Sequence, residues 1–141
     1  MARSRAVMVS ASDLRVVLGQ LVRRLRAENT LPLSHGTVLA RLEREGPRTT
    51  SALASAERVR PQSMSQTIAE LAAADLVART PDPTDGRRVL VGLTEAGRAT
   101  LSQDRARRDG WLASTIEVDL TPEEQEILGR AVGILRRLAQ S

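Results

Sequence analysis

The stretch PDPTDGRRVLVGLTEAG, residues 81–97, constrains the fold more tightly than any other part of the chain. Its front half, Pro81-Asp82-Pro83-Thr84-Asp85-Gly86, is crowded with turn formers. Proline fixes φ, aspartate bonds its own backbone, and glycine permits φ > 0. Directly after it, Arg88-Val89-Leu90-Val91-Gly92-Leu93 places Val89, Val91 and Leu93 on one face at period two, the pattern of a half-buried strand. Upstream, Leu76-Val77-Ala78-Arg79-Thr80 supplies a partner strand, so the sequence predicts a hairpin with Arg87 and Arg88 at its tip. Turn formers alone would make a hairpin. The arginines at an exposed, proline-stiffened tip are what call for a partner.

Helical patterns flank the hairpin on both sides. Ser12 is read as the start of a first helix in which Leu14, Val17, Leu18, Leu21, Val22 and Leu25 form a continuous apolar stripe. Ser34 is read as the N-cap of a second helix running to Glu45, with Val38, Leu39 and Leu42 inward and Gly46-Pro47 as its stop. Thr49 or Thr50 caps a short third helix carrying Leu53 and Ala54, and Glu57-Arg58-Val59-Arg60 connects it to Pro61, suited to a first helical position. In the helix that follows, Met64, Ile68 and Leu71 face inward, while Gln62, Ser63, Ser65, Gln66, Ala69 and Glu70 lie opposite. Two short helices joined by a tight turn, the second with a small, polar outer face, make a helix-turn-helix pattern. After the hairpin, Thr94 caps a long helix reaching about Val118. Thr121, Pro122 and Glu124 then spell a capping box ahead of a last apolar stripe, Ile127, Leu128, Ala131, Ile134, Leu135 and Leu138.

Composition narrows the function. The 141 residues suit a single domain with a real core. All 21 basic residues are arginine against 17 acidic ones, and the net charge of +4 favours a polyanionic partner. The absence of cysteine removes disulfides, thiol catalysis and cysteine–zinc sites together. Trp111 is the one aromatic residue, so stacking platforms for single strands are missing and duplex DNA is the expected nucleic acid. No apolar run approaches the roughly 18 residues of a membrane span, and the expected location is the cytoplasm. The single histidine, His35, cannot anchor a metal site without carboxylates supplying nearly all the ligands, and it is read as a surface or cap-adjacent residue. Glu123, Glu124 and Glu126 suit a helix N-terminus for dipole reasons rather than acid–base chemistry. No catalytic residue, cofactor or metal is expected, and the chain is not read as an enzyme.

The order helix, helix, helix-turn-helix, hairpin, long helix, last helix resembles the MarR family of bacterial transcriptional regulators over about Leu14 to Leu138. The most specific part is RVRPQSMSQTIAELAAADLVARTPDPTDGRRVLVGLTEAG, residues 58–97, similar to the family's recognition helix, D-x-x-D-x-R wing and Leu-Thr-x-x-Gly lead-in to the next helix. The wing aspartates correspond to Asp82 and Asp85, and the wing arginine to Arg87. Asp75 stands where the family usually has glycine, and aspartate tolerates the left-handed conformation that this turn demands. The resemblance also allows for a small-molecule effector of unknown identity, although the aromatic lining of many relatives' pockets has little counterpart here.

The expected fold is therefore mainly α with a small β-hairpin wing. One MarR-like domain, 1–141, holds a winged helix-turn-helix DNA-binding part at 33–93 and dimerisation helices at 12–28 and 94–139. The expected function is a sequence-specific, duplex-DNA-binding transcriptional regulator, a repressor acting as a homodimer on a pseudo-palindromic operator. Gln62, Ser63, Ser65 and Gln66 would meet base edges and phosphates in the major groove. Arg60 and Arg88 would contact phosphate. Arg87 would enter the minor groove, its guanidinium held by Asp85. Trp111 is assigned to core or dimer interface. Two competing readings are a winged-helix protein-interaction module without DNA binding and a non-specific architectural DNA binder. The first would want exposed apolar anchors on 61–74, and the second would want charge rather than base-reading groups there.

Overall fold

The computed structural model describes residues 9–141. Along the chain these form α1 (Ala11–Arg26), α2 (Leu33–Glu45), α3 (Thr50–Glu57), α4 (Pro61–Ala73), β1 (Val77–Pro81), β2 (Val89–Leu93), α5 (Glu95–Asp119) and α6 (Pro122–Ala139). They fall into two compact units. One runs from Asn29 to Arg107, and the other joins residues 9–28 with Arg108–Ser141.

In the unit Asn29–Arg107 the inward stripes of three helices meet. Val38, Leu39 and Leu42 of α2, Leu53 and Ala54 of α3, and Met64, Ile68 and Leu71 of α4 are buried together with Leu76, Val77, Val91 and Leu101. Each large aliphatic side chain so covered contributes about 1.5–3 kcal/mol. Strands β1 and β2 pair antiparallel from Val77↔Leu93 out to Pro81↔Val89. Arg48, ahead of α3, adds a bridge to Val91: the Arg48 N–H donates to the Val91 carbonyl at 3.0 Å, and the Arg48 carbonyl accepts the Val91 N–H at 2.7 Å. That bridge explains why the alternating face is only partly interior. Val91 is fully buried beside Arg48, Leu93 is half-buried, and Val89 is exposed where the hairpin leaves the core.

Two helix starts differ from the sequence reading. α1 is capped by Ser10, whose hydroxyl accepts the Asp13 N–H, and Ser12 lies inside the helix. α2 begins at Leu33 with Pro32 in the cap position and no side-chain cap bond, so Ser34 is within the first turn. The Pro32 carbonyl accepts both the His35 and Gly36 N–H groups, at 3.1 and 3.0 Å, and proline's fixed φ starts the helix without a hydroxyl.

The turn after α4 is left-handed at Asp75 (φ 61), the conformation expected of the residue standing in for glycine. The chain is then clamped at the base of the hairpin. The Thr94 hydroxyl donates to the Asp75 carbonyl (2.7 Å) and accepts the Gly97 N–H (3.0 Å), capping α5, while the Thr94 N–H donates to the Leu76 carbonyl (3.1 Å). Further along α5, Asp104 is the one buried charged side chain among the described residues. Its carboxylate accepts the Thr30 N–H and, at 2.8 Å, the Thr30 hydroxyl.

In the other unit the Thr121–Glu124 capping box is formed in both directions. Gln125 Nε2 donates to the Ile116 and Leu120 carbonyls, tying the turn between α5 and α6. The Arg24 guanidinium lies 4.2 Å from the centroid of the Trp111 ring. Neither α1 nor α6 has a buried residue, and Ile127 and Leu138 are 64% and 58% exposed. No helix among the described residues is long and apolar enough to cross a membrane.

Gly97 is the tightest point of the clamp. A Cβ there would collide with the Leu76 carbonyl oxygen and lie 2.7 Å from Leu93 Cδ1. In an open helix Gly→Ala gains up to about 1 kcal/mol. Gly97→Ala is expected to reverse that sign and destabilise the protein by about 1–3 kcal/mol, the range for overpacking. Denaturant unfolding of the variant beside Gly129→Ala, where a Cβ meets nothing, checks it.

Candidate nucleic-acid interface

α3 and α4 are joined by a turn made by Arg58 in the left-handed region (φ 56), its N–H bonded to the Ser55 carbonyl and that of Val59 to Ala54. A non-glycine residue in this conformation is uncommon, and neither its composition nor its spacing marked it in the sequence. Arg41 on α2 supports the turn, its Nε 2.6 Å from Glu57 at the end of α3 and Nη1 2.9 Å from Glu45. Glu57 is the main cause holding that guanidinium above its ordinary range. Pro61 then occupies the first turn of α4, and Arg60 takes the cap position without a side-chain cap bond. The first N–H groups of α4 are therefore open to an outside acceptor.

Burial of Met64, Ile68 and Leu71 turns the other side of α4 to solvent. Gln62, Ser63, Ser65 and Gln66 are all exposed there, with Arg60 just ahead of them. The outward face is not wholly unpartnered. Gln66 Nε2 is 3.3 Å from Oε1 of Glu70, and the second oxygen of Glu70 is 2.7 Å from His35 Nε2. His35 is cap-adjacent as expected, its N–H bonded to the Pro32 carbonyl in the first turn of α2, and its ring is largely covered beside Glu70. The signal lay in two separate facts, a glutamate one turn after Gln66 and a histidine one turn before the buried Val38 and Leu39, and only the fold joins them.

The hairpin tip is ordered by aspartates acting on backbone. Asp82 Oδ1 accepts the Thr84 N–H at 2.9 Å and its hydroxyl at 2.8 Å, and the Asp82 N–H bonds to the Arg88 carbonyl. Asp85 was expected to hold the Arg87 guanidinium; instead its carboxylate accepts the Arg87 backbone N–H (3.1 Å) and lies 3.8 Å from Arg88 Nε. The turn explains the difference. Arg88 N–H donates to the Asp85 carbonyl at 3.0 Å, which brings the Arg88 side chain, three residues on, back over Asp85. Among the described residues the Arg87 side chain takes part in no ion pair, so its guanidinium is available to an outside anion.

A polar helix face beside an exposed cationic hairpin, carried on one compact core, defines a winged helix-turn-helix DNA-binding protein. The MarR family model matches residues 29–88. An HTH-type transcriptional regulator of Mycobacterium tuberculosis is 40% identical over 131 residues, 91% of each chain. A solved structure from Pseudomonas aeruginosa PA01, assigned as a transcriptional regulator protein, is 36% identical with TM-score 0.81, covering 93% of this chain and 94% of that one. A mutant of S. aureus MepR bound to an oligodeoxyribonucleotide shares the fold, at 21% identity and TM-score 0.71 over 93% and 99% of the two chains. The chain belongs to the MarR family and is a DNA-binding transcriptional regulator, not an enzyme.

The two bonds from Thr84 are the main reason the Asp82 carboxyl sits below its ordinary value, with Arg88 a smaller cause. A carboxyl depressed in the folded state stabilises that state above its unfolded value and loses the contribution as pH falls through the folded one. The hairpin tip is therefore expected to keep its order down past pH of about 4 and to loosen only at still lower pH. The Thr84 amide followed by NMR through an acid titration measures this. A Thr84 signal that moves at the pH of an ordinary aspartate would show that the tie does not form.

Proposed function

We propose that two copies of this chain bind a pseudo-palindromic duplex operator and repress transcription from it. The observation that carries the reading is the exposed face of α4, where Gln62, Ser63, Ser65 and Gln66 offer donors and acceptors to solvent, while Arg87 on the hairpin tip makes no ion pair among the described residues. Glutamine can pair bidentately with adenine, and serine can serve a donor or an acceptor. Arg60 and Arg88 then supply phosphate contacts, which give most of the affinity and its salt dependence. Arg87 reads the narrow minor groove beside the major-groove helix, with Asp85 ordering the turn from which it projects. The outer face of α4 lacks the apolar anchors that a protein-interaction module would present, so that alternative loses its support. An architectural binder has no need of base-reading groups.

Pairing of two copies is supported by the other unit. α1 and α6 leave their apolar stripes uncovered, and a closed two-fold assembly would bury them. It would also set two α4 helices to meet successive major grooves about 34 Å apart. The DNA-binding part, 33–93, lies within the compact unit Asn29–Arg107, in which Leu101 and Asp104 of α5 are also buried. Residues 12–28 with the rest of α5 and α6 serve dimerisation. Such a regulator works in the cytoplasm, where its DNA lies.

Arg87→Ala is expected to weaken operator binding by about 1–3 kcal/mol, the scale of a specific groove-reading arginine, and most on sites with A·T-rich flanks. Gln62→Ala should instead relax sequence preference within the half-site. Titrations on operator and scrambled duplexes at two salt concentrations separate these effects. Wild-type affinity of Arg87→Ala on every duplex would remove the wing from the interface. Truncation before Thr121 is expected to yield a monomer or an aggregate on sedimentation. A well-folded dimer of the shortened chain would instead show that α6 is dispensable.

A further inference from the structure

Three polar side chains of the unit Asn29–Arg107 form a line toward the outer face of α4, and the DNA contacts proposed above use only the last of them. His35 stands in the first turn of α2, its side chain 15% exposed, with Nε2 2.7 Å from Oε2 of Glu70. Glu70 is half exposed on α4, and its other oxygen is 3.3 Å from Nε2 of Gln66, one turn earlier on the same helix. An ionised carboxylate only accepts hydrogen bonds, and this settles the chemistry of both neighbours. The imidazole carries its hydrogen on Nε2. The Gln66 amide turns its NH2 end toward Glu70, leaving its carbonyl oxygen and second N–H for another partner.

That remaining pair, one acceptor and one donor on a single amide, matches the N6 donor and N7 acceptor of adenine in the major groove. An exposed glutamine held by nothing spreads over many rotamers, and fixing it at the moment of binding costs conformational entropy. Here the far end of the line is fixed in advance. Val38 and Leu39, three and four residues beyond His35, are buried in the core, so the imidazole is mounted on a rigid part of α2. Glu70 meets His35 through one oxygen and Gln66 through the other, which makes it the link of the line.

We propose that His35 is a positioning residue for base readout: through Glu70 it holds the Gln66 amide in the orientation that meets an adenine edge. This rests on the reading of Gln66 as a base contact. A histidine that merely stapled α2 to α4 would affect stability and overall affinity, whereas a positioning histidine affects preference at one base pair.

The test is selection of bound duplexes from a randomised pool by the purified full-length protein, with thermal unfolding alongside. The variants are Gln66→Ala, Glu70→Ala, His35→Leu and His35→Gln. Gln66→Ala is expected to identify one base pair of the half-site whose preference it relaxes. Glu70→Ala and His35→Leu should lower preference at that same pair about three- to tenfold, the range set by one hydrogen bond of ordinary net strength, and leave the other positions alone. His35→Gln, which returns an N–H donor toward the carboxylate, should restore most of it. If His35→Leu does not fold, Glu70→Ala, changed at the exposed end of the line, and His35→Gln decide on the same terms. Unaltered preference at that pair in Glu70→Ala and His35→Leu, while Gln66→Ala relaxes it, overturns the positioning role and leaves the base contact standing. A uniform loss across all positions also overturns it, since His35 would then be structural only. Wild-type preference in Gln66→Ala overturns the base contact, and the positioning role with it.

Discussion

The carbonyl of Leu76 is the point on which the winged unit turns. It accepts the Thr94 N–H, and Gly97 of α5 passes so close that no side chain fits between them. Because Asp75 takes the left-handed turn just before Leu76, and Thr94 caps α5 while bonding back to Asp75, a few adjoining groups set three directions at once. They fix where α4 stops, where the hairpin leaves and where α5 starts. The hairpin is short and two-stranded, a structure marginal by itself in water. Its position relative to α4 therefore comes from this clamp and from Val77 and Val91 reaching the core. The proposed reading of DNA by both elements would need their relative placement held to within a hydrogen bond's tolerance, and the clamp holds it with backbone groups.

Stability and orientation are carried by different interactions in this unit. Burial of the aliphatic core supplies the energy, since each large-to-small change there costs about 2–5 kcal/mol. The ion pairs Arg41 with Glu57 and Arg105 with Glu43 add little energy beside that burial. Their effect is on geometry, because Arg41 fixes the end of α3 next to the left-handed Arg58 and so the turn into α4. Asp104 lies between these cases. Buried and without a basic partner among the described ion pairs, it has its charge spread over the Thr30 N–H and hydroxyl. Removing Thr30's hydroxyl would leave a buried charge short of donors, which costs more than the bond itself is worth.

How much of this could be read from the sequence depends on whether the cause was local. The inward stripe of Met64, Ile68 and Leu71, the Thr121–Glu124 capping box, Pro61 in the first turn of α4 and the left-handed Asp75 are settled by neighbours within a few residues, and the structure has all of them. Ser34 misled because a good capping residue was present but Pro32 had already set the helix start with its own φ and carbonyl. Asp85 misled more subtly. Spacing along the chain paired it with Arg87, whereas the turn's curl brings Arg88 back over it and leaves Arg87 bound through its backbone. The bridge from Arg48 to Val91, the tie from Thr30 to Asp104 and the line from His35 to Gln66 join distant parts of the chain. No periodicity or motif announces such pairs. The outer face of α4 was legible as a set of exposed polar residues, but its internal order was not.

The two units also differ in how complete they are. Asn29–Arg107 encloses a core of its own aliphatic side chains. The helices of the other unit carry apolar stripes as regular as those of α2 and α4, yet bury no residue of α1 or α6. Periodicity tells which face of a helix is apolar and is silent on what covers it, which is why the stripes looked alike in the sequence. An uncovered apolar surface of this extent is unusual for a protein that acts alone. In a homodimer its burial would be an association energy rather than a folding energy, and would vary with protein concentration. The winged unit would then remain folded at dilutions where the paired arrangement of two α4 helices is lost. The affinity for a two-half-site operator would fall with dimer dissociation, not with unfolding of the reading surface. A regulator divided in this way can keep its base-reading geometry constant while the concentration of protein decides whether two copies read together.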